Sequence, residues 1–357
     1  MTATTVPQID EERLHALLGQ AVVEFGATAN AALIVIGDRL GLYRELAAGG
    51  PLTSSELASA TGTSERYVRE WANAQAAGGW IGYDAATGRY SMSTEQALLF
   101  ANPDSPAFVG GAFQIALGSA ESREHIAEAF QTGTGYAWHE HTHDVIEGCR
   151  RFFEPGYKAN IVQSWIPALD GVHERLQNGG SVADIGCGQG ASSIVIAQGY
   201  PNVTVEGTDA DVGALDEARR LAAEAGVDDR VSFTALPADA ISGSYDLVTS
   251  FDCLHDMGDP VGVARRVREA LAEGGTWMIV EPRAGDSIQE NLNPVGRAYY
   301  AFSTLLCTPS SLSQEVGLAL GAQAGEARLT EVLGQAGFTH VRRATETPFN
   351  LVLEARP

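Results

Sequence analysis

The sequence predicts an α/β protein, with helices wound about a mostly parallel sheet in the second half and a mostly helical domain before it. Three stretches carry that expectation. "SVADIGCGQGASSIVIAQG" reads as strand, glycine-rich turn and helix. "YDLVTSF" (Tyr245 to Phe251) reads as a second strand running into "DCLHDMGDP", followed by the helical "VGVARRVREALAEGG". "TSERYVREWANAQAAGG", followed by "WIGYD" and "RYSMS", reads as a helix and then a hairpin.

Composition narrows the class. The chain has 357 residues, 45% hydrophobic and 19% charged, enough for about two domains with sizeable cores. The net charge of −22 argues against nucleic acid or an anionic membrane surface as the main partner. Lys158 is the single lysine, so positive charge is almost all arginine. Cys149, Cys187, Cys253 and Cys307 form no CxxC pair and have no metal-ligand spacing. A signal-like start and an uninterrupted apolar run of about 18 residues are both missing, and the expectation is a reduced, cytoplasmic protein with no membrane partner.

Residues 1–102 are expected to form the helical domain. "ALIVIGDRLGLYRELA" has the apolar spacing of an amphipathic helix, and "LTSSELASATG" has the Ser/Thr start and early glutamate of a capped one. "TSERYVREWANAQAAGG" is a second capped helix, and "WIGYD", "AATG" and "RYSMS" make a hairpin, giving a winged-helix arrangement. From Pro51 to Glu95, three arginines (Arg66, Arg69, Arg89) stand against five acids (Glu56, Glu65, Glu70, Asp84, Glu95), leaving −2. A DNA reader needs the opposite sign. The expected role is dimerisation, through the helices before Gly50, and closure over a pocket; "ALIVIGDRLGLY" needs a covering surface, so a homodimer is predicted.

Residues 103–157 are expected to be a helical connection that contributes to an acceptor pocket. Here "YAWHEHTHDV" crowds His139, Glu140, His141, His143 and Asp144. On an extended segment the three histidines share a face, a possible metal arrangement, but a polar pocket lining is the expectation and no metal is predicted.

Residues 158–357 hold the sheet. Gly186, Gly188 and Gly190 permit positive φ and close backbone approach to a ligand. Their GxGxG spacing differs from the GxGxxG that accommodates a dinucleotide pyrophosphate, which disfavours an NAD oxidoreductase. Asp184 precedes the turn, and Asp209 closes the next strand, placed to hydrogen-bond a ribose diol. Together they describe a nucleoside site without a diphosphate. Downstream, "TWMIVEP" is a strand ending near Glu281, and "ARLTEVLGQAGFTHVRRATETPFNLVLEARP" reads helix, turn, strand, turn, strand. Residues 283–325 are too long for a simple connection and look like an insertion covering the acceptor.

On these residues the chain resembles the class I S-adenosylmethionine-dependent methyltransferases, with "VADIGCGQG" the most specific stretch. The resemblance implies a Rossmann-like seven-stranded mixed sheet with its last strand antiparallel. It implies cofactor contacts from Tyr157, Asp184, Gly186, Gly188, Gly190, Asp209, Ala210, Asp239, Ala240 and Phe251, with S-adenosyl-L-methionine as cofactor and a small-molecule acceptor. Over nearly the whole chain it is similar to winged-helix small-molecule methyltransferases, and in architecture to the plant-type O-methyltransferases. Those carry a catalytic histidine in an "HDW" stretch; "HDM" places His255 there, and Glu281 matches the glutamate that orients it. Methionine replaces tryptophan here.

Methyl transfer from a sulfonium mainly requires positioning, but a hydroxyl acceptor must also lose a proton. Histidine suits that step near neutral pH, and a carboxylate partner would orient it. His255 with Glu281 is therefore the expected base, with His139 and His141 able to reach in. Methylation of an amine or carbon by positioning alone, and a ligand-responsive regulator, are the alternatives.

Overall fold

The computed structural model describes residues 9–357, which divide into two compact units at Leu117 and Gly118. By compactness, residues 103–117 go with the first unit and 118–157 with the second.

The first unit contains α1 (Glu11–Arg39), α2 (Leu42–Gly49), α3 (Ser54–Thr61), α4 (Glu65–Ala77), strands β1 (Gly82–Asp84) and β2 (Arg89–Ser91), and α5 (Thr94–Phe100). The stretch read as one helix, "ALIVIGDRLGLYRELA", breaks between α1 and α2, because Gly41 adopts φ +74°. α3 starts on a complete capping box, Thr53 with Glu56. Ser64 stands before α4 without capping by its side chain. β1 and β2 pair antiparallel with Tyr83 opposite Tyr90, giving the expected hairpin, three residues a side. The core gathers Ile34, Tyr43, Leu57, Trp71 and Phe100, with Tyr43 stacked on Phe100 and donating to Gln75 at 2.8 Å.

α1 departs from expectation. Leu14, Leu17, Leu18, Val22, Val23 and Phe25 are exposed along it. By length and composition it is the one described helix able to cross a membrane, with 11% of its most apolar stretch buried. Glu24 and the polar Gln20, Thr28 and Asn30 interrupt that stretch, so its sequence shows no unbroken apolar run.

α6 (Gly110–Glu121) contains the division. Beyond it come α7 (Arg123–Thr132), α8 (His143–Asn160) and α9 (Val172–Gln177), then β3 (Gly180–Ile185), α10 (Ala191–Gly199), β4 (Val203–Asp209), α11 (Val212–Glu224), β5 (Val231–Ala235), β6 (Tyr245–Phe251), α12 (Pro260–Ala270) and β7 (Leu271–Pro282). α13 (Pro294–Phe302) and α14 (Thr308–Leu312) follow, joined by a π-helical turn, and then α15 (Gly325–Gln335), β8 (His340–Glu346) and β9 (Asn350–Arg356).

The seven strands lie in the order β5-β4-β3-β6-β7-β9-β8. β5, β4, β3, β6 and β7 are parallel, while β9 enters antiparallel between β7 and β8, so the sheet is mixed as expected. The inner strands are buried on both faces: Val182, Ile185, Leu247, Val248, Trp277 and Ile279 are all within the core, as a helix-covered parallel sheet requires. The chain's direction reverses its winding between β3 and β6, and ligands gather outside the carboxyl ends of strands at such a switch.

Candidate active site

A cavity of about 890 Å³ opens at those carboxyl ends. At one end is the glycine turn between β3 and α10. Gly186, Gly188 and Gly190 have φ of +67°, +52° and +77°. A Cβ at Gly190 would lie 2.7 Å from the Phe233 ring and one at Gly186 2.8 Å from Cys253 Sγ, whereas at Gly188 it would meet nothing within 4 Å. Two glycines are thus demanded by packing beneath the turn, and the middle one faces open space. Asp209, at the end of β4, accepts from the Gly188 N–H at 2.8 Å and the Asp211 N–H at 2.9 Å, and it stands on the cavity wall with Ala210. Burial pushes its carboxyl upward, against the pull of those backbone N–H groups.

Asp184 lies elsewhere than expected. It is buried, off the cavity wall, and accepts from Ser192 and Ser193 at 2.6 Å each and from Thr249 at 2.9 Å. It braces the turn from below. Asp239 and Ala240 are exposed and also off the wall; Leu236, Pro237 and Ala238 line it instead. The short 3-10 turn at Ala238–Ala240 swings the later residues outward. Phe251 and Tyr157 both line the cavity, their rings 5.0 Å apart.

The other end is built by the loop after β6. β6 and β7 are adjacent and parallel, so His255 and Glu281 meet: Nδ1 of the ring is hydrogen-bonded to Glu281 Oε2, and Glu281 Oε1 accepts from the Leu254 N–H at 2.9 Å. The ring's Nε2 lies 3.1 Å from Asp256 Oδ1, a charge contact without hydrogen-bond alignment, so that oxygen has no hydrogen-bond partner among the described residues. Cys307 brings its thiol to the same place, the Nε2, carboxylate and thiol atoms lying within 4.8 Å of one another. His255 is 3% exposed and behind the wall; Asp256 is on it. Burial opposes a charged ring, but Asp256 and Glu281 outweigh it and hold the imidazolium form well above the usual histidine range. Burial raises the Asp256 carboxyl.

The histidines of the connecting segment separate. The chain there is a 3-10 turn (Trp138–Glu140) followed by α8, so the extended geometry that would align them is absent. His139 is exposed and lines the cavity. His141 is 5% exposed, packed edge-on to Tyr136 and within 3.3 Å of Ser122 Oγ. Burial depresses its pKa to about 4, so it is a neutral core histidine and a correction to its expected place in the site. The insertion, by contrast, covers the cavity as expected. Ser310, Ser313 and Gln314 line it, and Gln314 clamps the loop by accepting from the Gly258 N–H at 2.8 Å and donating to the Asp256 carbonyl at 2.9 Å.

Against known proteins, residues 28–102 match the family described as Rv2258c-like winged HTH domain, and residues 176–333 match the one described as methyltransferase domain. The second match lies within the second unit, and the resemblance it supports implies S-adenosylmethionine as cofactor. The ubiquinone biosynthesis O-methyltransferase of Bordetella avium (strain 197N) is 35% identical over 131 residues, covering 35% of this chain and 51% of that protein. The chain spans about half the length of the curated relatives it matches first. Among solved structures, human N-acetylserotonin methyltransferase in complex with SAM superposes with a TM-score of 0.71 at 15% identity, over 100% of this chain and 99% of that one. The mitomycin 7-O-methyltransferase MmcR gives 0.70 at 19%, over 98% and 100%. At such identities these two share the fold.

The methyltransferase cavity fits that cofactor on its own chemistry. Gly188 leaves room for close approach, Asp209 presents a carboxylate on the wall at the end of β4, where a ribose diol is expected, and Gln189, also on the wall, has a buried Oε1 with no hydrogen-bond partner among the described residues. Sequence reasoning missed Asp252 and Asp256. The signal for Asp256 was its place beside His255 in "HD"; Asp252 had none, its mark being a backbone φ of +49°.

Proposed function

We propose that this chain methylates a hydroxyl group of a small molecule, with His255 as the base. The observation that carries the reading is the buried Glu281–His255 pair at the ends of β6 and β7, reached from the cavity through Asp256. S-adenosylmethionine bound in the cavity supplies an electrophilic methyl group and a positive charge. Glu281 fixes the ring, leaving Nε2 toward Asp256 and the acceptor side. The ring must shed its proton before it can accept one, and positive charge in the cavity lowers its proton affinity. Gln314 and the α13–α14 segment hold the loop that carries His255 and keep water from that end. The same cavity would serve an amine or carbon acceptor by positioning alone, and there the base would matter little.

The first unit is read as a dimerisation element. The apolar row on α1 suits a second copy of the same helix, and Arg66, Arg69 and Arg89 are each paired with a glutamate, which disfavours phosphate contacts by these three. In this reading the protein is a cytoplasmic homodimer.

The test is turnover on a panel of hydroxylated small molecules with labelled S-adenosylmethionine, comparing the parent with His255→Ala and His139→Ala. Loss in the first with retention in the second supports the base; full activity in His255→Ala beside an inactive His139→Ala moves the base to the connecting segment.

A further inference from the structure

Asp252 is the first residue past β6 and, with Ala319, one of two described non-glycine residues with positive φ. Its backbone N–H donates to the Val280 carbonyl at 2.7 Å, which turns its side chain toward the β7 and β9 side of the sheet. There the carboxylate accepts from the Tyr157 hydroxyl at 3.2 Å and from Asn350 Nδ2 at 3.0 and 3.2 Å. These donors are neutral, and no lysine or arginine pairs with Asp252 among the described residues. Asp252 nevertheless lines the cavity.

Neither basic side chain on that wall, His139 or Arg150, pairs with it among the described residues. Arg150 is held by Glu147 and Glu154 at 2.7 and 2.6 Å, and the charge of His255 is shared between Asp256 and Glu281. A desolvated carboxylate without a cation is costly, and proteins relieve that cost by protonation or by bringing in a charge. Burial, then Glu281 nearby, raises the group to about 8, which is relief by protonation. Position separates Asp252 from the cofactor cradle: Gly188 and Asp209 lie above β3 and β4, on the other side of β6.

Resting on the methyl-transfer reading, we propose that Asp252 is the specificity residue for the acceptor and takes a protonated amine on it, so that the acceptor is a hydroxylated amine. Tyr157 and Asn350 hold the carboxyl group in place, and a carboxylate-bearing acceptor would find no cation there to pair with.

The experiment uses the full chain saturated with S-adenosylhomocysteine and three matched phenols at neutral pH: tyramine, 4-ethylphenol and 4-hydroxyphenylacetate. Tyramine is expected to bind roughly tenfold or more tighter than the other two, and Asp252→Asn to bring it down to the level of 4-ethylphenol. Affinities of the variant for S-adenosylmethionine and S-adenosylhomocysteine are expected to stay at parent values. Equal binding of the three phenols, no binding of any, or preference for 4-hydroxyphenylacetate overturns the proposal in the parent protein, without recourse to a variant. A variant that loses S-adenosylmethionine while keeping S-adenosylhomocysteine overturns it differently, assigning Asp252 to the sulfonium. In each of those cases retained cofactor binding leaves the methyltransferase reading standing; a parent chain that binds neither cofactor form removes both.

Discussion

The two ends of the cavity are built by different means. The cofactor end is local: Gly186 to Asp209 spans one turn-helix-strand unit, and the Gly188 N–H donates to Asp209 across a single strand pair. The acceptor end draws together α8, the β6 loop, the end of β7, the start of β9 and the insertion, through bonds such as Asn350 to Asp252 and Gln314 to Gly258. A local unit holds one small molecule with a fixed backbone shape. An end assembled from five distant segments can change its occupant by changing any one of them, so the cofactor is common and the acceptor particular.

The contrast breaks most visibly at the base. His255→Ala is expected to lower turnover of a hydroxyl acceptor by about two to four orders of magnitude with cofactor affinity nearly unchanged. Glu281→Gln should cost less, since the ring remains; labelled methyl transfer measures both. At the cofactor end, Asp209→Ala should weaken S-adenosylmethionine binding by about 1–3 kcal/mol, read by calorimetry.

Much of that first end was legible in sequence, because a glycine turn followed by an acidic strand end is one contiguous signal. The parts misread there were matters of direction. Asp184 is adjacent in sequence to the turn but points under it, toward Ser192, Ser193 and Thr249. Asp239 and Ala240 are one and two residues beyond the wall that Leu236 to Ala238 form. Strand order, and with it the meeting of His255 with Glu281, was implied by the family resemblance and by no local pattern. Asp252 could not be read, since a positive φ leaves no local pattern, and Cys307 was legible as part of the insertion over the acceptor but not as a neighbour of His255. His141 was misplaced because three spaced histidines look alike until one turns into the core.

The acceptor end also gives a pH signature. The Asp252 carboxyl goes from an ordinary 3.8 to about 8 in the fold, so the folded protein holds a proton that the unfolded chain releases between those values. Stability is therefore lost as pH rises through that window, and Asp252→Asn should remove the loss. Its melting temperature should exceed the parent's by roughly 2–8 °C near pH 8 and converge toward it in acid, by calorimetric scanning. The smallest expected effect on the site comes from the other unit. Leu18→Glu with Val22→Glu should turn a dimer into a monomer in light scattering while leaving cofactor affinity intact; a parent already monomeric at micromolar concentration contradicts the dimer.

Calorimetry of the parent chain with S-adenosylmethionine, S-adenosylhomocysteine and NAD tests the account most directly. The first two should bind one per chain with affinity insensitive to phosphate, and NAD should not bind. Binding of NAD without the sulfonium cofactor would contradict the account at its centre.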